Sequence, residues 1–210
     1  TDMGTIGTGG ISSGVYTTDS AAQVKYLVND SATKFYFAEN EEQLDKILEV
    51  RGECPTLKQI IVFDMEGLNE FHDDQVISYE EFLKIGEKAN QEKPDLWESL
   101  INNVNSSDIA ILVYTSGTTG PSKGAMINHE NILYSINTGY DIFETMEHEE
   151  QLSFLPLCHI LERSVSVMIP LKTGAVVNFA ESIDTVPENI REVSPTCLLY
   201  TSDAADEITG

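Results

Sequence analysis

Basic residues are scarce in this sequence of 210 residues: 12 Lys and Arg stand against 35 Asp and Glu, a formal net charge of −23. A surface of that sign repels phosphate backbones and anionic lipid heads, so no nucleic-acid partner is expected. The excess is local. Asp64 to Glu98 holds 11 acids and 3 lysines, and Asp141 to Glu150 holds 5 acids and no base. Such runs read as solvated outer faces of helices and loops, with adaptation to a salty habitat as the alternative. Cysteine is also sparse. Cys54, Cys158 and Cys197 show neither paired spacing nor C-x-x-C, which fits a reducing cytosol better than a disulfide-stapled scaffold. His72, His129, His148 and His159 are scattered without metal-ligand spacing, and no metal site is expected. The longest central apolar run is Ile109–Val113, far short of the roughly 20 residues that span a bilayer. No basic, apolar leader follows Thr1, so no secretory signal is expected. There is no internal repeat and no low-complexity tract.

What is present is an alternation of short strand-like runs with helical periods, the pattern of an α/β domain with a largely parallel sheet. Ser20-Ala21-Ala22-Gln23 reads as a capping box that opens a helix with Val24, Leu27 and Val28 on one face. Asn40–Gln43 resembles another helix start, and Ser78–Glu81 a further capping box opening a helix to about Ala89. Strands are predicted at Ser12–Val15, Lys34–Ala38, Gln59–Phe63, Asp108–Tyr114, Gly124–Asn128, Gln151–Leu155 and Val176–Phe179. Met65–Ile77 reads as acidic and irregular, and Asn90–Ser107 as a polar connector with a turn or two of helix around Trp97. Helices are predicted over His129–Phe143, with Ile132, Leu133, Ile136 and Tyr140 at helical spacing, then Ile160–Leu171 and Thr185–Val193.

Between two of those strands lies Tyr114-Thr115-Ser116-Gly117-Thr118-Thr119-Gly120-Pro121-Ser122-Lys123-Gly124. Its glycines allow positive φ and close approach of backbone to a ligand. Successive N–H groups can then turn inward as an anion-binding concavity. Thr115, Ser116, Thr118 and Thr119 add hydroxyls, and Lys123 adds a mobile positive charge suited to phosphate oxygens. The candidate phosphate-binding set is therefore Thr115, Ser116, Gly117, Thr118, Thr119, Gly120 and Lys123. It is not a Walker A loop, because Lys123 follows Ser122 and precedes Gly124.

This loop resembles the Y-T-S-G-T-T-G-x-P-K-G signature of the adenylate-forming, or AMP-binding, superfamily, with Ser122 in place of the pattern's Pro. The resemblance covers residues 4–196. Gly14–Ser20, Gln23–Ser31, Glu41–Lys46 and Phe154-Leu155-Pro156-Leu157-Cys158-His159-Ile160-Leu161-Glu162-Arg163 are similar to the long-chain fatty acyl-CoA synthetase branch. So are Glu181-Ser182 and Pro187–Ile190. The resemblance implies part of an adenylate-forming N-terminal domain, α/β with largely parallel sheets flanked by helices and truncated at both ends. It also implies ATP, Mg2+ and coenzyme A as cofactors and co-substrates, with a fatty acid as the group activated. Thr115 to Lys123 would hold the departing pyrophosphate, where positioning and charge neutralisation carry the rate.

His159 falls on the family's L-P-L-x-H histidine and is the one catalytic candidate; a helix-capping or packing role is the alternative. Glu162 and Arg163 read as a structural pair, Cys158 as a small buried hydrophobe, Met168 and Ile169 as core, and His129 as a helix-start residue. The family's Y-G-x-T-E segment, its later ribose-binding Asp, its hinge and its C-terminal catalytic Lys are absent, so this polypeptide alone is expected to be inactive. The partial domain is taken as residues 1–196. Cys197–Glu207 resembles the translation of a transposase-adaptor end, and residues 197–210 are set aside as a non-native tail. Other readings stay open: a nucleotide-binding module without turnover, an adenylate-forming ligase for a different carboxylate, or an acidic interaction protein in which the glycine-rich loop is incidental. The expected location is cytoplasmic, without a transmembrane segment and compatible with peripheral contact on the inner membrane face.

Overall fold

The apolar runs become strands because they are wrapped by helices whose caps are written locally. In a computed structural model, residues 1–115, 121–142 and 149–199 are described. The chain divides into two units, Thr1–Val104 with Tyr114–Ala125, and Asn105–Val113 with Met126–Gly210.

The first unit opens with α1 (Asp2–Gly7) and a two-residue strand β1 (Ser12–Ser13). Helix α2 (Ala21–Asp30) begins at the expected capping box: Gln23 N donates to Ser20 Oγ at 3.4 Å and Ser20 N donates to Gln23 Oε1 at 2.8 Å. Strand β2 (Phe35–Ala38), helix α3 (Glu41–Val50) and strand β3 (Gln59–Val62) follow. Asn40 caps α3 by accepting from Gln43 N at 3.2 Å. Strands β2 and β3 are parallel, with Tyr36 opposite Ile60, so the connection must cross over, and α3 provides that crossover. Val24, Val28, Leu44, Ile47, Ile60 and Val62 form the centre of the core, each at most 1% exposed. Burying an aliphatic side chain of this kind contributes about 1.5–3 kcal/mol.

The stretch read as irregular contains a strand, β4 (Val76–Ser78), parallel to β3 with Ile61 opposite Ile77. Arg51 sets its approach, donating to both oxygens of Asp73 at 2.8 and 2.6 Å. Helix α4 (Tyr79–Glu92) starts at the second capping box, on Ser78 and Glu81, and runs one turn further than the sequence suggests. Neither it nor α5 (Leu96–Asn102) buries a residue.

Strand β5 (Ile109–Thr115) lies between β1 and β6 (Lys123–Asn128) in a three-stranded sheet. In the second unit, α6 (His129–Ile142) opens at His129, where Asn131 N donates to Asn128 Oδ1 at 2.8 Å. Ile132 is buried, but Leu133, assigned to the same face by spacing, is 55% exposed. Strand β7 (Glu150–Ser153) is central, parallel to β8 (Val176–Phe179) and to β9 (Cys197–Leu198). Strand β9 uses the first two residues of the stretch set aside in the sequence reading, and Tyr200 onward lies outside the described residues.

The apolar helix expected over Ile160–Leu171 is not uniform. It comprises α7 (Ile160–Arg163), a π turn (Ser164–Met168) and α8 (Ile169–Thr173). Pro170 supplies no N–H and its ring crowds the preceding turn, so the helix widens there. Met168 and Ile169 are core, as expected. Cys158 is half-buried, more open than a core hydrophobe. Helix α9 (Val186–Val193) returns the chain to β9.

Candidate functional site

The phosphate-loop stretch leaves the end of β5 and enters the start of β6. Thr115 is the last residue of β5 and is exposed. Lys123 is the first of β6, also exposed, and has no ion-pair partner among the described residues. Ser116, Gly117, Thr118, Thr119 and Gly120 lie outside the described residues.

Both flanks of the loop are tied to α2, inside the first unit. The Tyr114 hydroxyl donates to Asp30 Oδ2 at 2.7 Å. The Tyr26 hydroxyl donates to the Ser122 carbonyl, also at 2.7 Å. The two rings meet edge to face, with centroids 6.5 Å apart and planes at 80°, a favourable aromatic arrangement. Burial, together with the hydrogen bond to Asp30, pushes the Tyr114 hydroxyl well above the usual tyrosine range.

Gly124 has a different role from the one the sequence suggests. It is not among the described glycines with positive φ. A Cβ there would lie 3.2 Å from Tyr114 Cζ and 3.4 Å from the hydroxyl oxygen. The glycine makes room for the ring that Asp30 holds in place.

His159 is the N-cap of α7. Its Nδ1 accepts from Leu161 N at 3.3 Å, and its backbone carbonyl accepts from Arg163 N at 3.1 Å. The imidazole is exposed and engaged in local capping. Below it, Glu162 is 1% exposed. Its Oε1 accepts from Ser153 Oγ at 2.5 Å and Ser166 Oγ at 2.8 Å, which ties β7 to the π turn. The Ser166 contact is an i+4 neighbour visible in the sequence; the Ser153 contact is not.

Sequence reasoning missed Tyr26 and Asp30. Their i,i+4 spacing on α2 was legible, but their partners lie 96 and 84 residues away. Among the described residues, no group of three His, Cys, Asp or Glu side chains converges to hold a metal ion. No helix among them is long and apolar enough to cross a membrane.

The model of one family, described as AMP-binding enzyme, matches residues 1–209. This chain belongs to the AMP-binding enzyme family. Among similar AMP-binding proteins is the human long-chain-fatty-acid–CoA ligase ACSBG2, 32% identical over 205 residues, covering 95% of this chain and 30% of that protein. The chain thus spans under a third of the length of the curated relative it matches. Solved structures that share the fold include the following two. A long-chain-fatty-acid-CoA ligase (FadD1) from Archaeoglobus fulgidus superposes with a TM-score of 0.70 at 15% identity, covering 95% of this chain and 36% of that one. The anthranilate CoA ligase AuaEII, in complex with anthranoyl-AMP, gives 0.68 at 21% identity, covering 90% and 34%. The α/β class with parallel sheets, expected from the alternation of elements, is therefore that of adenylate-forming N-terminal domains.

Proposed function

We propose that the protein to which this chain belongs activates a long-chain fatty acid with ATP and transfers the acyl group to coenzyme A. The observation that carries this reading is the Tyr114–Gly124 stretch, which runs from the end of β5 to the start of β6, on a chain 32% identical to a long-chain-fatty-acid–CoA ligase. The fatty carboxylate attacks the α-phosphorus of ATP, giving acyl-adenylate and pyrophosphate. The thiolate of coenzyme A then attacks the acyl carbon, forming the thioester and releasing AMP.

In this scheme Thr115, Ser116, Gly117, Thr118, Thr119, Gly120 and Lys123 hold the β- and γ-phosphates. Backbone N–H groups and hydroxyls orient the leaving pyrophosphate, and the Lys123 ammonium offsets the charge that develops on it. Lys123 is suited to this because it is exposed and pairs with no carboxylate among the described residues. The described residues present no cluster that fits a magnesium ion, and none is assigned to coenzyme A. His159 is assigned to capping α7, since its Nδ1 is already engaged.

The test is fatty-acid-dependent ATP–pyrophosphate exchange by the full-length protein carrying this segment. Exchange is expected with a long-chain fatty acid, and Lys123→Ala is expected to lower it roughly ten- to a hundredfold, the loss of one charged hydrogen bond. ATP binding without exchange for any carboxylate would replace this reading with a non-catalytic nucleotide module.

A further inference from the structure

The two ends of the phosphate-loop stretch are gripped by one face of one helix. Tyr26 and Asp30 stand i,i+4 on α2, the spacing that stacks side chains along one side of a helix. Asp30 accepts the hydroxyl of Tyr114, directly before Thr115, at 2.7 Å. Tyr26 donates to the carbonyl of Ser122, directly before Lys123, at 2.7 Å. The two tyrosines touch edge to face, and the missing side chain at Gly124 lets the Tyr114 ring lie against the backbone just past the lysine. The helix carrying both grips is itself anchored, with Val24, Leu27 and Val28 buried and Ser20 and Gln23 closing its capping box.

We propose that Tyr26 and Asp30 are positioning residues for ATP, a two-point clamp that fixes the separation and orientation of the loop's entry at Tyr114 and its exit at Ser122. The inference rests on the reading of this loop as the phosphate site. The Ser122 carbonyl shares a planar peptide with the Lys123 N–H. Holding that carbonyl therefore fixes the direction in which Lys123 leaves the loop. The family's pattern has Pro at this position, whose ring restricts φ covalently. Serine carries no such restriction, and the hydrogen bond from Tyr26 restrains from outside the peptide that follows it. Fixing both ends before the ligand arrives removes part of the ordering cost of binding. Neither residue touches the nucleotide; each acts through the backbone or side chain it holds.

The experiment compares wild type, Tyr26→Phe, Asp30→Ala and Asp30→Asn in the full-length protein. ATP affinity is read by equilibrium dialysis, steady-state constants by pyrophosphate exchange, and Tm in parallel. Tyr26→Phe keeps the ring and removes only the donor. Its Kd and KM for ATP are expected to rise about three- to tenfold, the range of one net hydrogen bond. KM for the fatty acid is expected to stay unchanged, with Tm held within about 2 °C. Asp30→Ala should give the same signature, and Asp30→Asn, whose amide oxygen still accepts from Tyr114, should recover most of the affinity. An unchanged ATP Kd in both Tyr26→Phe and Asp30→Ala overturns the clamp. So does an equal rise in the KM of ATP and of fatty acid that tracks a fall in Tm. A raised Kd in Tyr26→Phe with no exchange by the wild type keeps the clamp and overturns the ligase reading. Exchange with an unchanged Kd does the reverse, and a wild type that fails to bind ATP overturns both.

Discussion

Tyr36 shows how far a single hydroxyl can be moved by its surroundings. It lies on β2 at 7% exposure, and burial, helped by the carboxylate of Asp19, pushes it up to about 12. In the unfolded chain the same phenol titrates near 10. Below about pH 10 it is neutral in both states, and its contribution to stability is complete. Between about pH 10 and the folded value, the unfolded chain ionises while the folded one stays neutral, so stability declines by up to ~1.4 kcal/mol per pH unit. Urea midpoints of wild type and Tyr36→Phe at about pH 9, 10 and 11 should diverge, the wild type losing stability faster. Parallel curves would show that Tyr36 ionises as readily folded as unfolded. This burial was only half legible in the sequence. The strand-forming run Phe35-Tyr36-Phe37-Ala38 was plain, but its inward-facing register follows from pairing with β3, which sets Tyr36 opposite Ile60.

At the scale of elements, local signals fixed the starts better than the course. Ser20 and Ser78 both form complete capping boxes, and both were readable because the cap and its partner lie only three positions apart in sequence. What the caps contribute depends on what each helix packs against. Helix α2 buries Val24, Leu27 and Val28, so Ser20→Ala is expected to lower the global stability of the chain by about 1 kcal/mol. Helix α4 buries nothing. Ser78→Ala should therefore leave the urea midpoint nearly unchanged and instead speed amide exchange in the first turns of α4. Equal effects of the two substitutions on the midpoint would contradict this division. Among the elements that escaped the sequence, β4 and the π turn did so for identifiable physical reasons. Strand β4 sits in an acidic stretch with no alternation and exists because β3 offers it a free edge. The π turn before Pro170 reflects a missing N–H whose consequence falls several residues upstream.

At the scale of the molecule, apolar surface is left uncovered on both units. Phe35 and Phe63 are 53% and 46% exposed in the first, and Val176 and Phe179 are 55% and 60% exposed in the second. Parallel sheets in folded domains have both faces covered. This chain, taken alone, is therefore expected to self-associate through its exposed strands and apolar faces. Analytical ultracentrifugation over a hundredfold range of concentration should show growing oligomer. A monomer across the whole range with a sharp cooperative melt would oppose the expectation.

By itself the sequence determined the family, the α/β class, the order of most elements and the phosphate-loop stretch, because each of these is encoded in residues adjacent or one helical turn apart. A glycine-rich run with a lysine, a capping box and an apolar strand are all readable at short range. Only the tertiary structure decided that Gly124 is there for the Tyr114 ring, that His159 caps α7, that Glu162 joins β7 to the π turn, and that Tyr26 and Asp30 reach the loop's two ends. Except for the His159 cap, these are contacts between groups carried on different elements. A one-dimensional pattern records the residue types but not the packing that brings them within 3 Å of each other.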